Sequence, residues 1–406
     1  MDQNSPIHHE KWLRWVQEHE NEPVSELALR YSGHPDLPLR ALLVQVKGRQ
    51  IAKVKLPSFY HHPEILYPDS LILEQCSSEE AAAHKAGWAE GKTVADLTGG
   101  LGIDTLAFAK TAKKVFYCEP DPLRCAAARH NFRVMGVSNV EVIEGTAEET
   151  SAMLTGQADL FFLDPSRRSE DGRKVFRLED LSPDVLQLKS RLLSKSAQVM
   201  VKLAPMLDIR EGLRQLPETY RVEVISRKDE CRELLFFLSN EARVVEIACL
   251  DTGHPENKFS YRPDDDATLP LPIGEPEIFL YEPDASIRKA GAWRSICKKF
   301  GVKILHSNSH LFTGSEPLKN FPGRTFRIQE ILPYKKDKIT AALQGNPAQL
   351  VFYNFPVKAH DVTKALNIKS GEPIYLFFTS TEKQRTMVVL GERVSPGGFD
   401  SAQPPG

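Results

Sequence analysis

A glycine-rich turn and two carboxylates are the residues of this chain with the clearest capacity for chemistry. The turn is formed by Thr98, Gly99, Gly100, Leu101 and Gly102. Glycine lets the backbone approach a ligand without a Cβ clash. The helix predicted to begin at Ile103 would add unpaired N–H groups and a positive dipole end. Glu119 ends the next apolar run, where a carboxylate can accept hydrogen bonds from ribose hydroxyls. Together they predict a site for a nucleoside-containing cofactor.

The spacing around the turn narrows the kind of cofactor. A dinucleotide fingerprint would need Gly or Ala where the chain has Thr105, and no phosphate-binding G-x-x-x-x-G-K-S/T string is present. Asp96 inside the preceding apolar run, followed by the turn, resembles motif I of class I S-adenosylmethionine (SAM) methyltransferases. The first glycine of that motif is Thr98 here. A glycine-rich turn in an unrelated α/β protein is the alternative interpretation.

A second cluster follows the predicted fourth strand and ends on two arginines. Asp164, Pro165, Ser166, Arg167 and Arg168 resemble the D/N/S-P-P-aromatic motif of nucleic-acid methyltransferases, with Ser166 in place of the second proline and Arg167 in place of the aromatic residue. Guanidinium groups can also stack on bases or hold phosphate. Lys202 ends another apolar run and is either a site residue or a lysine extending towards solvent. The alternative for Asp164–Pro165 is a simple turn.

Two further segments are candidates for cofactor contacts. Gln75 to Ser78 precede a predicted helix that leads into the first strand, so these residues either hold the methionine end of SAM or simply cap the helix. After the third strand, methyltransferases often have a small or acidic residue where adenine is recognised, and Thr146-Ala147 resembles that pattern, which implies an adenine contact for Ala147. With Asp96, Thr98, the three turn glycines and Glu119, these residues complete the predicted cofactor site.

The elements that position these residues alternate between strand and helix, which predicts an α/β fold with a mainly parallel, Rossmann-like sheet. The predicted strands are Val94–Leu97, Val115–Cys118, Val140–Ile143, Leu160–Leu163, Val199–Leu203, Val222–Ser226 and Leu234–Leu238. The last two are separated by a short polar loop and are expected to form an antiparallel hairpin. Ligands of such sheets bind at the carboxyl ends of the strands.

The length of 406 residues predicts several domains. We expect a mainly helical region over 1–90, a SAM methyltransferase domain over 91–250, a proline-rich linker over 251–274, an α+β domain over 275–396 and a tail over 397–406. Within the first region, residues 51–55 are predicted as a strand. In the C-terminal domain, residues 286–300 are predicted as one helix.

Composition limits the possible functions. Charged residues make up 26% of the chain and the net charge is −2, which is typical of a globular protein and unlike a uniformly basic nucleic-acid coat. Apolar runs are too short to cross a membrane, and the N-terminus lacks the apolar core of a signal peptide. The six cysteines form no C-x-x-C pair, which argues against zinc and a disulfide framework. We therefore expect a cytoplasmic protein without a metal centre.

The C-terminal domain contains a local excess of positive charge. Between residues 286 and 338 there are twelve Lys or Arg and three Asp or Glu. The residues predicted to bind RNA are Arg324, Arg327, Lys335, Lys336 and Lys338. Three aromatic residues, Phe321, Phe326 and Tyr334, are interleaved with them, a combination that suits phosphate attraction with base stacking. The alternative is a solvated basic face.

Taken together, the chain resembles a bacterial family of class I SAM methyltransferases with a C-terminal THUMP-like domain. The resemblance rests on five motifs: residues 74–78, 96–104, 164–168, 282–285 and Ala290-Gly291. It implies a SAM-binding fold and, because THUMP domains act on structured RNA, an RNA substrate. Two other functions remain open: a non-catalytic RNA-binding protein that keeps the fold, and a methyltransferase for a small molecule or a protein.

Overall fold

The computed structural model divides the chain into two compact units. It describes residues 10–68, 73, 76–154, 156, 158–167, 177–241, 243–383 and 386–394. The first unit comprises residues 1–220 and 234–243, and the second comprises residues 221–233 and 244–406. The chain passes from one unit to the other within β8 (Thr219–Arg227), within β9 (Glu230–Leu238) and again after residue 243.

The first unit begins with four helices: α1 (Glu10–His19), α2 (Val24–Arg30), α3 (Leu39–Lys55) and α4 (Pro57–Tyr60). The first three share an apolar cluster that includes Val16, Leu27 and Leu42. The predicted strand over residues 51–55 is wrong, because these residues form the last turns of α3. Ala52 is buried in a core that also contains residues of the later α/β segment, and this tertiary packing overrides the local strand pattern.

The sheet of the first unit has the strand order β9-β7-β4-β1-β2-β3. Its strands, besides β9, are β1 (Thr93–Asp96), β2 (Lys114–Glu119), β3 (Val140–Glu144), β4 (Leu160–Leu163) and β7 (Gln198–Leu203). These five run parallel to one another, and β9 runs antiparallel to β7. The Rossmann-like, mainly parallel sheet predicted from the alternating pattern is confirmed.

Helices join these strands and cover the sheet. They are α5 (Glu79–Ala86), α6 (Ile103–Ala109), α7 (Pro122–Val134), α8 (Ala147–Met153), α9 (Val185–Leu193) and α10 (Ile209–Gln215). A small ribbon pairs β5 (Ser166–Arg167) with β6 (Leu181–Ser182). Strand β4 is buried at every position, as expected of a parallel strand covered on both faces. The carboxyl ends of β1, β2, β4 and β7 consequently lie along one edge of the sheet, which is where the candidate residues are.

The second unit begins with strands that pair beside one another. Strand β10 (Glu246–Asp251) is parallel to β8 and antiparallel to β11 (Phe259–Tyr261). A short helix, α11 (Pro263–Thr268), follows. The proline-rich segment predicted as a linker over 251–274 therefore contains a strand and a helix of its own.

The C-terminal sheet of the second unit has seven strands in the order β13-β14-β12-β15-β18-β17-β16. Its strands are β12 (Phe279–Pro283), β13 (Lys303–Ile304), β14 (Phe312–Gly314), β15 (Gly323–Leu332), β16 (Ala348–Phe352), β17 (Ile374–Ser380) and β18 (Thr386–Arg393). The helix predicted over 286–300 is two helices, α12 (Ala285–Ala290) and α13 (Trp293–Phe300). The break falls at Gly291, whose φ of +70° is left-handed and favours glycine.

Two more helices, α14 (Lys336–Leu343) and α15 (Ala359–Leu366), cover one face of this sheet. Ile339 of α14 and Val362 of α15 join a cluster with Leu376 and Phe378 of β17. Phe377, which lies between those two strand residues, belongs to a separate cluster on the other face. Both faces of β17 are therefore apolar, and the C-terminal segment has its own core. In the described part of the chain, no helix is both long and apolar enough to span a bilayer.

A glycine in α3 tests the packing of the N-terminal helices. A Cβ on Gly48 would lie 2.3 Å from Cγ of Tyr67, and the backbone of Tyr67 is held on both sides by hydrogen bonds with Gln45. Because the ring cannot easily move, Gly48→Ala is expected to lower the free energy of unfolding by about 1–3 kcal/mol despite its better helix propensity. Chemical denaturation followed by circular dichroism measures the change.

Gly87 provides the matched control, because its φ is helical and a Cβ there would meet open space. Gly87→Ala is expected to be neutral or to raise stability by up to about 1 kcal/mol. Equal effects of the two substitutions would contradict the packing described for Gly48.

Candidate functional site

The glycine-rich turn has a defined backbone geometry at the carboxyl end of β1. Gly99 donates to the carbonyl of Cys118 at 2.9 Å, and Gly102 donates to the carbonyl of Gly99 at 2.8 Å. Gly100 and Gly102 have φ values of +54° and +82°, in the left-handed region. Only glycine fits at position 99, because a Cβ there would lie 2.3 Å from the ring of Tyr117.

Gly100 is the point of the turn that is open to a ligand. The nearest atom that an added Cβ would meet is the Thr98 carbonyl oxygen at 3.7 Å. The Gly100 carbonyl accepts a hydrogen bond from the Tyr117 hydroxyl at 2.7 Å. The backbone of the turn is therefore held in place, while the space next to the Cα of Gly100 is open. This is the arrangement that a closely approaching cofactor requires.

Glu119 is buried beside the turn, and its carboxylate links three neighbouring groups. One oxygen accepts from the Gly100 N–H at 3.0 Å, and the other accepts from the Asp121 N–H at 3.1 Å. The Arg124 guanidinium lies 3.5 Å from the second oxygen. Since each carboxylate oxygen has two lone pairs, Glu119 keeps the capacity to accept a hydroxyl donor.

Asp96 lies beneath the turn with only 1% of its surface exposed. Its carboxylate accepts from the Thr98 N–H at 3.1 Å and from the Thr105 hydroxyl at 2.6 Å. Burial raises its pKa to about 7, with a further contribution from the negative charge of Asp104. The ionised form of Asp96 is therefore costlier than that of an exposed aspartate.

Lys85 and Asp104 form a buried ion pair that sequence reasoning missed. Lys85 is fully buried, and its ammonium lies 3.0 Å from Asp104 and 3.1 Å from the Ser77 hydroxyl. Ser77 in turn donates to Asp104 at 2.8 Å. Burial opposes ionisation of Asp104, but the positive charges of Lys85 and Lys202 outweigh it and lower the pKa of the carboxyl. The pair ties α5 to the start of α6.

Asp164 and Lys202 meet at the ends of β4 and β7. Their charged atoms are 2.5 Å apart. Burial raises the pKa of Asp164, and the positive charge of Lys202 acts in the opposite direction. The Asp164 N–H donates to the Thr98 hydroxyl at 2.7 Å, which brings the predicted acceptor residue against the glycine-rich turn. Lys202 is thus paired with Asp164 rather than extended towards solvent.

The charges of this edge suit a cationic cofactor. Among the described residues, Asp96, Asp104 and Asp164 lie at this edge with Lys85 and Lys202, and burial raises the pKa of Asp96 and of Asp164. SAM carries a sulfonium cation, so the residues present fit it, whereas a dinucleotide would bring negative phosphates instead. In the described residues, no group of three or more His, Cys, Asp or Glu side chains is arranged to hold a metal ion.

The remaining predicted residues of the first unit are placed as follows. Ala147 is buried at the first position of α8, where the helix leaves its N–H without an internal acceptor. Pro165 is buried directly after Asp164. Arg167 is described only in its backbone, as part of β5. Gln75 and Arg168 lie outside the described residues.

The helix-capping interpretation holds for Ser78, which accepts from the Ala81 N–H, whereas Ser77 contacts Asp104.

In the second unit, Arg324 is held in an internal ion pair. Its Nη2 lies 2.6 Å from the carboxylate of Glu282, a residue with 1% exposure. Glu282 also accepts from the Tyr353 hydroxyl at 2.6 Å, and Arg324 is 3.5 Å from Asp229. The structure therefore gives this guanidinium a partner inside the domain.

The other predicted RNA-binding residues, Arg327, Lys335, Lys336 and Lys338, are exposed. The aromatic part of that prediction is wrong for Phe321 and Phe326, which are buried in the core and cannot stack on a base. Tyr334 is partly buried and packs edge-on against Phe355. Phe326 lies within β15 and Phe321 lies two residues before it, and both side chains contribute to the core of the domain.

Three site residues escaped prediction: Lys85, Asp104 and Thr105. A signal existed for Asp104, since it is the one charged residue in the otherwise apolar first turns of α6, and a buried carboxylate needs a partner. The lysine that supplies that partner is 19 residues away on another helix, and local pattern carries no information about that pairing.

Comparison with known families identifies the C-terminal segment. Residues 279–322 match a ferredoxin-like domain family, and residues 323–393 match a family described as THUMP domain-like. Both matches lie in the second unit.

Comparison with individual proteins covers most of the chain. An uncharacterized S-adenosylmethionine-dependent methyltransferase of Mycobacterium tuberculosis is 24% identical over 317 residues, which span 76% of this chain and 82% of the relative. The crystal structure of a candidate methyltransferase from Porphyromonas gingivalis W83 is 26% identical, covers 95% of this chain and 98% of its own, and superposes with a TM-score of 0.84. An uncharacterized RNA methyltransferase of Enterococcus faecalis is 29% identical over 139 residues, covering 33% of this chain and 30% of that protein.

The buried pair of Lys85 and Asp104 generates a stability prediction. Lys85→Met removes the ammonium and leaves Asp104 charged in the interior, which is expected to lower the free energy of unfolding by about 3–5 kcal/mol. Asp104→Asn serves as the second arm of a double-mutant cycle, and the double variant should lose less than the sum of the single losses. Denaturant titration of the four proteins measures the coupling, and a coupling near zero would refute the ion pair.

Proposed function

We infer that this chain, which belongs to the SAM-dependent methyltransferases that carry a C-terminal THUMP-like domain, transfers the methyl group to RNA in the cytoplasm. The observation that carries the choice of RNA is the THUMP domain-like match over 323–393. The partial similarity to an RNA methyltransferase of Enterococcus faecalis supports it. A small molecule or protein acceptor, or RNA binding without catalysis, are outcomes that the experiments below would reveal.

On the cofactor side, we assign each part of SAM to the residue whose chemistry fits it. The open side of Gly100 accommodates the passing cofactor, and Glu119 accepts hydrogen bonds from the ribose. The N–H of Ala147, at the first position of α8, is assigned to adenine. Gln75, which precedes α5, is assigned to the methionine end. When bound, the sulfonium would supply an electrophilic methyl group. Asp96 holds the turn in shape through its hydrogen bonds from Thr98 and Thr105.

On the acceptor side, the residues are those at the ends of β4 and β7. Asp164 orients the acceptor atom, and Lys202 holds the carboxylate in place and favours its ionised form. Pro165 makes the loop rigid, while Arg167 and Arg168 contact a base or a phosphate. Methyl transfer from a sulfonium is a direct displacement, so this alignment is the main contribution of the protein to the rate.

The RNA-binding surface proposed for the C-terminal domain is the exposed side of α14 and α15. These helices bury their apolar residues against the sheet and turn their lysines outwards. The lysines around this surface are Lys335, Lys336, Lys338, Lys358, Lys364 and Lys369. Lys336 donates to the carbonyl of Ala365 at 2.6 Å and so links the two helices. The other five make no ion pair with a described residue. Arg327 on β15 is a further candidate, and Arg324 is left out because it is paired internally.

Gly100→Asp tests the cofactor site and the proposed reaction together. Its carboxylate would project into the space left for SAM, so binding by calorimetry and transfer of labelled methyl to RNA should both be lost. Gly91→Asp is the matched control, because Gly91 has a similar φ of +70°, open space around it and a position before β1, at the opposite end of the strand. Wild-type binding of NAD in place of SAM would refute the cofactor assignment.

Asp164→Asn tests the acceptor side. The amide keeps the shape of the residue and the backbone N–H bonded to Thr98, but it removes the negative charge. Methyl transfer should fall at least about tenfold, while the Kd for SAM changes by no more than a few-fold, because the residue acts mainly in the transition state. Loss of SAM binding in this variant would assign Asp164 to the cofactor site instead.

Lys335→Glu combined with Lys338→Glu tests the RNA surface. Each neutralised phosphate contributes about −0.7 to −0.9 to the slope of log affinity against log salt, so the double variant should bind structured RNA more weakly and with a flatter slope. SAM affinity should not change. Lys110→Glu with Lys113→Glu makes the same change in charge at exposed positions just before β2 and serves as control. A slope near zero in the wild-type protein would remove RNA as substrate.

A further inference from the structure

Thr98 stands where the related methyltransferase motif has glycine, and its side chain makes a contact that glycine could not. The Thr98 hydroxyl oxygen accepts a hydrogen bond from the Asp164 N–H at 2.7 Å. Asp164 is the last residue with a backbone N–H before Pro165, which has none. The last backbone N–H before Pro165 is therefore bound to the glycine-rich turn.

This hydrogen bond extends the ladder between β1 and β4. The last backbone bond of the ladder runs from the Leu97 N–H to the Phe162 carbonyl at 2.9 Å. In a regular parallel pair the next donor on β4 would bond to a backbone carbonyl of β1. Here the Thr98 hydroxyl replaces that backbone carbonyl as the acceptor. A side chain therefore joins β1 and β4 where both strands end at the candidate site.

Thr98 is itself fixed by the carboxylate of Asp96. The Thr98 N–H donates to Asp96 at 3.1 Å, and its hydroxyl lies 3.5 Å from the same oxygen. The other oxygen of Asp96 accepts from Thr105 in α6. A continuous chain of hydrogen bonds thus runs from α6 through Asp96 and Thr98 to the backbone of Asp164, whose side chain contacts Lys202.

We propose that Thr98 is a positioning residue that fixes the acceptor loop to the cofactor-binding turn, so that Asp164 is held in line with SAM bound at the turn. This inference rests on the proposed function, because it takes Asp164 as the residue facing the methyl acceptor. Thr98 acts through the Asp164 N–H and does not contact the acceptor. Its role differs from that of the turn glycines, which admit the cofactor.

The chemistry of the contact defines the variants. Thr98→Val keeps the branched shape but replaces the hydroxyl with a methyl group that cannot accept a hydrogen bond. Thr98→Ser keeps the hydroxyl and loses only the methyl group. A displacement of the loop by a fraction of an ångström lowers the rate of an alignment-dependent reaction much more than it lowers the affinity for the cofactor. Rate losses of about 100-fold follow from misplacements near 1 Å.

The first measurement is steady-state methyl transfer to RNA by the full-length protein with varied SAM. We expect Thr98→Val to lower kcat by about 10- to 100-fold with the KM for SAM changed less than about threefold, and Thr98→Ser to stay close to the wild type. A normal kcat in Thr98→Val would overturn the proposal. An equal loss of SAM affinity and kcat would do the same, because it would make Thr98 an ordinary cofactor contact.

The second measurement does not depend on activity. Amide hydrogen exchange at Asp164, observed by NMR with selective aspartate labelling, should be slow in the wild type and slower with SAM. In Thr98→Val the exchange should be fast and insensitive to SAM, and Thr98→Ser should restore the wild-type behaviour. If no methyl reaches RNA but this pattern is found, the choice of substrate fails while the coupling stands. Unchanged exchange in Thr98→Val would overturn the coupling itself.

Discussion

Compensation of buried charge is the constraint on which the candidate site depends. Asp96 and Asp104 lie in the interior at the start of the α/β segment, and an isolated carboxylate there would be very costly. Lys85 supplies the opposite charge for Asp104, whereas the partners of Asp96 among the described residues are the hydroxyl of Thr105 and the N–H of Thr98. The two aspartates therefore respond differently: the pKa of Asp104 is lowered, and that of Asp96 is raised to about 7. The site keeps one carboxylate whose charge is left for a ligand to stabilise.

The same network explains why the turn has its shape. Asp96 and Glu119 each accept a backbone N–H of the turn, at Thr98 and at Gly100. Tyr117 fills the space under Gly99 and donates to the carbonyl of Gly100. Glycine is thus needed at position 99 because the Tyr117 ring packs against it, and at position 100 so that a ligand can approach the backbone. The turn is held in place before any ligand binds, which lowers the entropic cost of binding.

The strands and the glycine-rich turn could be predicted from the sequence because their signals are local. Apolar runs of the length of β1, β2 and β4, separated by helical periods, specify a parallel sheet, and a parallel sheet specifies its ligand-binding edge. The pairing of Lys85 with Asp104 could not be predicted, since it joins two helices whose relative position only the folded chain defines. Phe326 was misassigned for a related reason: it lies in β15 beside the exposed Arg327, and the sequence does not show that Phe326 faces the core while Arg327 faces outwards.

The proposed reaction is the transfer of a methyl group from SAM to RNA. Mass spectrometry of the nucleosides in total RNA from cells with and without the gene measures its product. We expect one methylated nucleoside to disappear on deletion and to return when the wild-type gene is restored. Identical nucleoside profiles in the two strains, with SAM still bound by the purified protein, would contradict RNA as the acceptor.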